Sequence, residues 1–397
     1  MKINMYCFVI AAICFGCSKS GSAGTGNNGG TSTPSLTIAG VSQDRSASAS
    51  TFQFKVTLSK AASQDVTVHY ATTDGTAVKN TDYTAADGTA TIAAGKLSAA
   101  IDIQVTGDST RKNDQDFYVQ LSDPKNCTLG NSKATGTIVN ADGLYFPVDN
   151  TGYSTPGHYA GYTLAWSDEF NGNTLSDANW GFESGNNNGW GNHELEYYTD
   201  RTQNAFVSNG NLIIEARKEQ YNSFGYTSAR MITKAKQSFK FGRVDIRAKL
   251  PKGKGVWPAL WMLGDNIDAA GWPACGEIDI MELLGQQPNT VYGTLHWGLN
   301  SAAHQSKGTS YVLGSGSFDE QFHVYSMVWV QDTVKLLVDD QQYLTVNAQD
   351  VAPTYPFNDK FFFIFNVAVG GDWPGAPDGT TSFPQRMVVD YVRVFQQ

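Results

Sequence analysis

Three carboxylates stand close together in the otherwise apolar segment 275–284, and they are the residues of this sequence best suited to chemistry. They are Glu277, Asp279 and Glu282, and the positions between and after them hold isoleucine, methionine and leucine. Because burying an unpaired charge is costly, three acids in such a segment indicate a functional site. Two carboxyl groups in different environments are what cleavage of a glycosidic bond requires. The alternative is a structural strand whose acids pair with Lys or Arg, but the segment itself contains neither.

The spacing of the acids favours a strand. On a helix, Glu277 and Glu282 would point about 140° apart and could not share a site. On a strand, Glu277 and Asp279 share one face and Glu282 falls on the other. A β-bulge near Ile280 or Met281 would return Glu282 to the acid face. The two glutamate Cα atoms would then lie ~13 Å apart, and inward-leaning side chains could narrow that gap to the ~5–5.5 Å typical of retaining glycosidases.

Composition places the chain among all-β proteins with more than one domain. The sequence has 397 residues, 40 of them glycine, and 12% are aromatic. Short alternating apolar runs dominate and helix signals are poor, which suits strands rather than helices. The net charge is −9 and no basic patch is found, so a nucleic-acid partner is not expected. We interpret the acidity as a solubility feature of an extracellular protein.

The first residues are typical of a targeting segment. Lys2 precedes an apolar run that ends at Cys17 and is too short to span a bilayer. We expect 1–17 to be a lipoprotein signal with cleavage before an acylated Cys17, and the alternative is an ordinary secretory signal. Residues 18–35 are rich in Gly, Ser and Thr and predict a flexible tether. Since Ser18 is not the Asp that favours inner-membrane retention, an outer-membrane lipoprotein of the cell envelope is expected, or otherwise a secreted protein.

Cysteine usage fits neither a disulfide scaffold nor a zinc site. The chain has five cysteines, and Cys7 and Cys14 fall within the predicted signal. Besides Cys17, this leaves Cys127 and Cys275, which we place in different domains. Both are interpreted as small buried residues, because neither has a neighbouring base that would make it a nucleophile.

Residues 36–142 alternate apolar and polar positions in about seven short runs separated by turn signals, which predicts an immunoglobulin-like β-sandwich. The segments 70–77, 81–83 and 136–140 carry a resemblance to the Calx-beta domain. That resemblance implies calcium binding through acidic loops, with candidates Asp74, Asp82, Asp108, Asp114, Asp116 and Asp142. Arg111 and Lys112 depart from the family's acidic run and would repel a cation, which favours a purely structural spacer.

A linker is expected at 143–161, followed by one large β-domain at 162–397. Its segments 189–198, 209–216, 242–250, 256–263 and 388–395 surround the acid cluster in sequence. Together with Glu-x-Asp-x-x-Glu, they resemble glycoside hydrolase family 16, in particular its laminarinase-like members. The resemblance implies a concanavalin-like β-jelly-roll sandwich of two antiparallel sheets, with the substrate lying across the concave face.

The same resemblance implies roles for the acids. Glu277 would be the nucleophile and Glu282 the general acid and then base, with Asp279 holding Glu277 and separating the two pKa values. Chemistry alone requires one protonated and one ionised carboxyl group, but it does not say which is which.

Substrate and cation contacts follow from aromatic chemistry and from the resemblance. Tryptophans offer flat surfaces for sugar rings, and those in suitable contexts are Trp190, Trp257, Trp261, Trp297 and Trp373. In the family, the central subsites are faced by positions that match Asn192, Arg230, Trp257, Trp261 and His296. A structural histidine at His296 and a structural ion pair at Arg230 remain alternatives. No cofactor is expected for catalysis, but a structural calcium is, held by Asp390 with backbone oxygens near Glu169 and Gly210, unless Asp390 only caps a strand turn.

The function implied is that of a monomeric, lipid-anchored, retaining endo-β-1,3-glucanase acting on β-glucan polysaccharide. A mixed-linkage β-1,3-1,4-glucanase is the main alternative, and the same branch of the family includes galactan-cleaving enzymes. The sequence shows no Lys/Arg cluster suited to a sulfated polymer. A non-catalytic glycan-binding lipoprotein would be expected to lack at least one of the three carboxylates, and all three are present.

Overall fold

The computed structural model describes residues 33–110, 112, 114–140 and 145–397. The expected signal segment, Cys17, most of the tether, Arg111 and Asp142 lie outside these ranges. Within them the chain is almost entirely strand, which confirms the all-β prediction. The helical segments of this part of the chain are one α-helical turn, α1 (Ile267–Ala270), and three 3₁₀ turns, η1 (Ser301–Ala303), η2 (Ala348–Asp350) and η3 (Pro356–Asn358). None of the helices in the described ranges has the length and apolar character needed to span a bilayer.

The N-terminal domain is a sandwich of two sheets, as the alternation predicts. One sheet has the order β6-β3-β1-β8 and the other β2-β9-β7-β4-β5. Phe52 and Phe54 of β3 point into the core, where Tyr83 stacks on Phe117 at 4.5 Å between ring centroids. The strands are β1 (Ser35–Ile38), β2 (Val41–Asp44), β3 (Ser50–Leu58), β4 (Val66–Asp74), β5 (Asp87–Ile92), β6 (Ser98–Val105), β7 (Gln115–Lys125), β8 (Thr128–Asn131) and β9 (Lys133–Val139).

The acidic loops of this domain already contain basic side chains. The guanidinium group of Arg45 is buried and donates to Asp82 Oδ1 at 2.9 Å and to Asp108 Oδ2 at 3.3 Å. Lys112 Nζ lies 3.2 Å from Asp82 Oδ1 and 3.0 Å from Asp108 Oδ2. The pKa of Asp82 is below its usual value, because a backbone N–H and both cations outweigh the effect of burial, and the pKa of Asp108 is lowered to about 2. Two of the candidate calcium ligands are therefore neutralised by the protein itself.

Three further candidate acids of this domain, Asp74, Asp114 and Asp116, also have internal partners. Asp74 Oδ1 accepts from Tyr83 Oη at 2.6 Å, and Asp116 Oδ1 accepts from the Thr137 hydroxyl at 2.6 Å. Asp114 Oδ1 accepts from a backbone N–H at 2.9 Å. These bonds tie the loops to the sandwich, so the acids serve the fold of the domain.

The C-terminal domain consists mainly of two large antiparallel sheets. The first has the order β13-β14-β26-β17-β22-β23-β24, with β10 also paired to β26, and the second has the order β11-β16-β25-β18-β19-β20-β21. Strands β12 and β15 form a separate pair. The strands are β10 (Thr163–Asp168), β11 (Gly181–Phe182), β12 (Glu196–Tyr198), β13 (Ala205–Ser208), β14 (Asn211–Ala216), β15 (Tyr226–Ser228), β16 (Arg230–Ile232), β17 (Gly242–Lys249), β18 (Val256–Gly264), β19 (Glu277–Leu283), β20 (Thr290–Trp297), β21 (Gln305–Val312), β22 (His323–Val330), β23 (Thr333–Val338), β24 (Gln341–Asn347), β25 (Phe361–Val369) and β26 (Gln385–Gln396).

One apolar core lies between these two sheets and fixes the strands that carry the acids. Every residue of β25 is buried, and β25 pairs along its whole length with β18. Ile278, Met281 and Leu283 of β19 belong to the same core. Burying side chains of this size contributes about 1.5–3 kcal/mol each. The strand that bears the carboxylates is therefore held rigidly from its back face.

The segment 145–161, expected as a linker, is bonded to the first sheet of the C-terminal domain. Arg247 of β17 donates to the backbone oxygens of Tyr153 and Asn150 at 2.6 and 2.7 Å. The hydroxyl of Tyr391 accepts from the backbone N–H of Thr155 at 3.0 Å. These bonds give this segment a defined path along the catalytic domain.

Candidate active site

A β-bulge in β19 brings the three carboxylates to one side of the sheet. Opposite β18 the pairing passes from Asp279 to Met281 and omits Ile280. Opposite β20, the three steps from Asp279 to Glu282 match the two steps from 294 to 292. The extra residue corrects the parity of Glu282, which therefore joins Glu277 and Asp279 in the wall of one cleft. The predicted bulge and its position are confirmed.

The cleft has a volume of about 340 Å³, within the range of small-molecule binding sites. Strands β16, β18, β19 and β25 of the second sheet and the loops near 190 and 272 build its walls. Its aromatic and polar lining residues are Trp190, Asn192, Glu194, Arg230, Trp257, Trp261, Trp272, Glu277, Asp279, Glu282 and Asn366. Of the expected substrate contacts, this list contains Trp190, Asn192, Arg230, Trp257 and Trp261.

Glu277 is the carboxylate whose charged form receives most support. Its Oε2 accepts a hydrogen bond from Trp272 Nε1 at 2.9 Å, and its Oε1 lies 3.9 Å from His296 Nε2. Burial and the neighbouring charge of Asp279 raise the pKa of Glu277 to about 8, while His296, the Trp272 hydrogen bond and Arg230 act to lower it. His296 and an indole N–H also act on Glu282, so Arg230 is the group whose effect favours ionisation of Glu277 over that of Glu282.

Asp279 lies between the two glutamates and contacts His296. Its Oδ2 is 3.2 Å from His296 Nε2, and its side chain is almost entirely buried. Burial raises the pKa of Asp279 to about 8. The close histidine fits the expected role of Asp279 in orienting the site. His296 thus contacts the acids directly, which favours a functional role over a purely structural one.

Glu282 is the carboxyl group that holds its proton most firmly. Its Oε1 accepts from Trp257 Nε1 at 3.0 Å. Burial, followed by the charges of Asp279 and Glu277, raises the pKa of Glu282 well above its usual range. When one of the three acids ionises, the others retain their protons more strongly, because like charges in one site repel. Glu277 with its three supporting groups therefore suits the nucleophile, and Glu282 suits the acid.

Arg230 is both a structural partner and a wall of the cleft. Its guanidinium group lies between two indole rings, 4.6 Å from the centroid of Trp190 and 4.7 Å from that of Trp261. Its Nε donates to Glu183 at 2.5 Å. Arg230 therefore has both of the roles considered for it. Its ion pair with Glu183 fixes the plane of the guanidinium group, and that group forms part of the cleft wall.

A hydrogen-bond chain beneath the cleft was missed by sequence reasoning. Trp261 Nε1 donates to Asn366 at 2.8 Å, and Asn366 donates to the hydroxyl of Tyr198 at 3.0 Å. That hydroxyl donates to Glu194, which also accepts from Asn192, both at 3.0 Å. Alternating polar positions in segment 189–198 were the available signal. Because an indole N–H can only donate, each hydrogen bond in this series is donated in the same direction, from Trp261 toward the carboxylate of Glu194.

The two remaining tryptophans differ in their placement. Trp373 is 42% exposed and packs edge-on against Trp257 at 5.6 Å, so it forms a rim of the site rather than its lining. Trp297 was expected as a possible cleft residue, and that expectation is wrong. It is 3% exposed, belongs to the core, and donates to the backbone oxygen of Ala352 at 3.1 Å. The period of two explains the error, since Trp297 follows His296 on β20 and points to the opposite face.

The residues expected to hold a cation meet in another place, on the first sheet. Asp390, Glu169 and Asn171 line one polar pocket, and Gly210 occupies a turn with φ +71° beside Asn171. Carboxylate, amide and backbone oxygens suit a hard cation such as calcium. However, Asp390 Oδ2 accepts from Arg247 at 2.7 Å, and Glu169 accepts two bonds from Arg393. The donor chemistry fits calcium, with Arg247 as its competitor for one oxygen of Asp390.

The cysteines of the described ranges behave as the sequence predicts. Cys127 and Cys275 are both free and buried, one in each domain. Burial and the charge of Glu277 raise the pKa of the Cys275 thiol to about 11. Although Cys275 is near the acids in sequence, it remains a neutral thiol and is not a nucleophile.

Comparison with known proteins places this site in a family. The model of glycosyl hydrolases family 16 matches residues 192–393, and that of the Calx-beta domain matches residues 37–142. The chain belongs to glycosyl hydrolases family 16, and it carries a Calx-beta domain N-terminal to the hydrolase domain. Both resemblances drawn from the sequence are confirmed, as are the jelly-roll and immunoglobulin-like fold classes.

Particular relatives are bacterial glucanases. The chain is 43% identical over 261 residues to glucan endo-1,3-beta-glucosidase A1 of Niallia circulans, covering 60% of this chain and 38% of that protein. It is 43% identical over 247 residues to a beta-glucanase of Rhodothermus marinus, covering 59% of this chain and 85% of that one. The structure of the laminarinase catalytic domain from Thermotoga maritima is 51% identical with a TM-score of 0.57, covering 59% of this chain and 98% of that chain. The chain thus spans well under half of the first relative.

Substitution of the two glutamates is expected to have different consequences. Glu277→Gln should lower kcat on a β-glucan by about 10³-fold or more, because the amide keeps the shape of the side chain and loses its nucleophilic charge. Glu282→Ala should lose less activity on aryl glycosides with good leaving groups, which need little acid assistance, and azide should rescue it with retained configuration. Thermal melting of both variants controls for folding. An inverted glycosyl azide from Glu282→Ala would exchange the two roles.

Proposed function

We propose that this protein is a retaining endo-β-1,3-glucanase that hydrolyses internal bonds of β-glucan by double displacement. The observation that carries the proposal is the bulge of β19, which places two glutamates with opposite proton demands in one cleft. Each glutamate accepts from an indole N–H, but Arg230 also favours the charge on Glu277, whereas Glu282 keeps its proton through burial and the charges of both other acids. The names of the bacterial relatives support the β-1,3 linkage.

The two steps follow from that division. In the first, Glu277 attacks the anomeric carbon while the Glu282 proton passes to the glycosidic oxygen, so the sugar–oxygen bond breaks and an ester to Glu277 forms. In the second, Glu282 takes a proton from water, the water oxygen bonds to the anomeric carbon, and Glu277 leaves as a carboxylate. Two inversions give net retention. Asp279 and His296 keep the two glutamates in position while negative charge forms on one of them and then on the other.

The lining of the cleft suits an uncharged polysaccharide. Flat indole faces at Trp190, Trp257 and Trp261 match the apolar faces of sugar rings, and Asn192 and Asn366 can bond to hydroxyl groups. Among the lining residues that the structure describes, Arg230 is the one basic side chain, and Glu183 already pairs with it. A sulfated polymer would need additional cations here. The exposed Trp272 and Trp373 offer further ring surfaces for a long chain.

Calcium is proposed for the hydrolase domain alone. There it would be bound by Asp390 with oxygens near Glu169 and Gly210, away from the acids. In the Calx-beta domain, Arg45 and Lys112 already hold Asp82 and Asp108, so we propose that this domain is a structural spacer. An Arg–Asp pair with a buried guanidinium group leaves no net negative charge to attract a dication.

Attachment to the cell envelope is proposed through Cys17. The support is its position after an apolar run and before a polar tether. A lipid-anchored monomer held at the outer membrane could meet soluble glucan directly, and a secreted protein is the alternative. The experiment on Cys17 below separates the two.

The substrate proposal is tested by products from the whole chain. Laminarin is expected to release oligosaccharides whose anomers, in early NMR spectra, retain the β configuration. Lichenan and agarose serve as comparison polymers, and higher kcat/KM on lichenan would instead assign a mixed-linkage glucanase. An α anomer appearing first would exclude double displacement.

The calcium proposal is tested by thermal melting with calcium and with chelator. A cation bound only by the folded state adds RT ln(1 + [L]/Kd), about 2.7 kcal/mol at 100-fold excess over Kd. Asp390→Ala should lower Tm in chelator, because Arg247 loses a partner, and should abolish the calcium increment while turnover is little changed. Asp319→Ala is a matched control, since Asp319 pairs with Lys252 at a different surface and should keep the increment. An increment that survives in Asp390→Ala would place the cation elsewhere.

The anchor is tested by cell fractionation. Cys17→Ser should move the protein from the membrane fraction to the soluble fraction and leave hydrolysis of soluble glucan unchanged. A multiply acylated cysteine holds a protein stably, at about 0.8 kcal/mol per buried methylene. If the unsubstituted protein is already soluble, Cys17 is not acylated and an ordinary secretory signal is correct.

A further inference from the structure

A second histidine stands directly behind the histidine that faces the acids. His296 Nδ1 lies 2.8 Å from His304 Nε2, and the two rings are nearly parallel at 14° with centroids 5.0 Å apart. The opposite nitrogen of His296 lies 3.2 Å from Asp279 and 3.9 Å from Glu277. A single line of polar contacts therefore runs from the carboxylates through His296 to His304, which is solvent-exposed.

The loop after β20 holds His304 in this position. The side chain of Asn300 caps the 3₁₀ turn η1 by accepting from the backbone N–H groups of Ala302 and Ala303, both at 3.1 Å. The ring of Trp272 packs on His304 at 4.8 Å between centroids. Trp272 is also the residue that donates to Glu277. Both the histidine pair and the indole thus connect this loop to the proposed nucleophile.

Either of the two facing nitrogens, Nδ1 of His296 or Nε2 of His304, can carry the hydrogen between the rings. One hydrogen lies between Nδ1 of His296 and Nε2 of His304, since two bare nitrogens would repel and two N–H groups would clash. An ionised Asp279, 3.2 Å from Nε2 of His296, favours a proton on that nitrogen. A neutral His296 then accepts at Nδ1 from His304, whereas an imidazolium His296 donates from Nδ1 to His304. Burial and the charge of His296 lower the pKa of His304, so the second proton does not stay there. In both of these states Nε2 of His296 is protonated and lies 3.2 Å from Asp279. In the other neutral tautomer, with the proton on Nδ1, a bare Nε2 would face the acids.

We propose that His304 is a positioning residue of the acid site, which holds His296 in the orientation and tautomer that place a protonated Nε2 3.2 Å from Asp279 and 3.9 Å from Glu277. The proposal rests on the proposed function of these acids. In this proposal, His304 sets the pH at which the proposed nucleophile, Glu277, becomes ionised.

The direction of the effect follows from the charges around His296. The titratable groups that face it are Glu277, Asp279 and Glu282 from β19 and His304 from its own hairpin, and Arg230 from β16 acts on Glu277. His296 lowers the pKa of Glu277. Without His304, the imidazole can turn or change tautomer and so present a bare nitrogen to the acids. Glu277 would then hold its proton more strongly. As the pH is lowered, the variant would therefore lose activity at a higher pH than the unsubstituted protein does.

Two substitutions separate this role from simple packing. His304→Phe keeps a ring against Trp272 and removes the nitrogen, whereas His304→Gln retains a group that can donate or accept near the same place. In His304→Phe the acid limb of kcat/KM on laminarin should move up by about half to one pH unit, a loss of about 3–10-fold on that limb. His304→Gln should restore much of the profile. His158→Phe is a matched control at an exposed histidine of segment 145–161, and its profile should match that of the unsubstituted protein.

A second readout does not depend on turnover. In ¹⁵N NMR spectra of the histidines, His296 should show a single Nε2–H tautomer in the unsubstituted protein and a mixture in His304→Phe. An unmoved acid limb together with an unchanged His296 tautomer in folded His304→Phe would overturn the proposal, as would an equal loss at every pH. If no β-glucan is hydrolysed at all, the proposed function fails, while the tautomer measurement still decides whether His304 controls His296.

Discussion

One extra residue in β19 is the constraint on which the rest of the site depends. Without the bulge, the period of two would turn Glu282 into the apolar core and leave Glu277 without a second carboxyl group. The bulge also leaves Ile280 and Met281 buried, so the strand keeps its apolar anchor on one side while it presents three acids on the other. The fully buried β25, which pairs with β18 along its whole length in the same sheet, holds that geometry fixed.

Desolvation raises the pKa of the three acids, and the neighbouring groups make the effect different for each glutamate. Burial raises the pKa of all three acids, so the cluster holds protons near neutral pH. An indole N–H and His296 favour the charged form of both glutamates, and Arg230 favours that of Glu277 in addition. Glu282 has an indole N–H but lies under the repulsion of both other acids. The fold thus gives two residues of one type different protonation behaviour, as the proposed nucleophile and acid require.

The sequence predicts this site well where chemistry and periodicity act within one strand. The acids, the bulge, the all-β class and most of the cleft tryptophans could be read from residue types and spacing, and the family resemblance supplied the roles. The hydrogen bonds that end on Glu194 could not be predicted, because Asn366 lies on β25, 168 positions from Tyr198. His304 is only eight positions from His296, but its contact depends on the path of the hairpin loop, which residue types and spacing do not give. Trp297 was misjudged because its strand parity was ignored. The pairing of Arg247 with Asp390 joins residues 143 positions apart, and sequence alone gives no sign of it.

The central claim is that Glu277 bonds covalently to the substrate. Incubation of the whole protein with an activated 2-deoxy-2-fluoro laminaribiosyl glycoside slows the second step and should trap the ester. Proteolysis and fragmentation of the labelled peptide in the mass spectrometer are then expected to place one added disaccharide on Glu277 rather than on Glu282, and no label is expected in Glu277→Gln. A sugar attached through Glu282, or turnover with no trapped species under conditions that inactivate a retaining enzyme, would contradict the account.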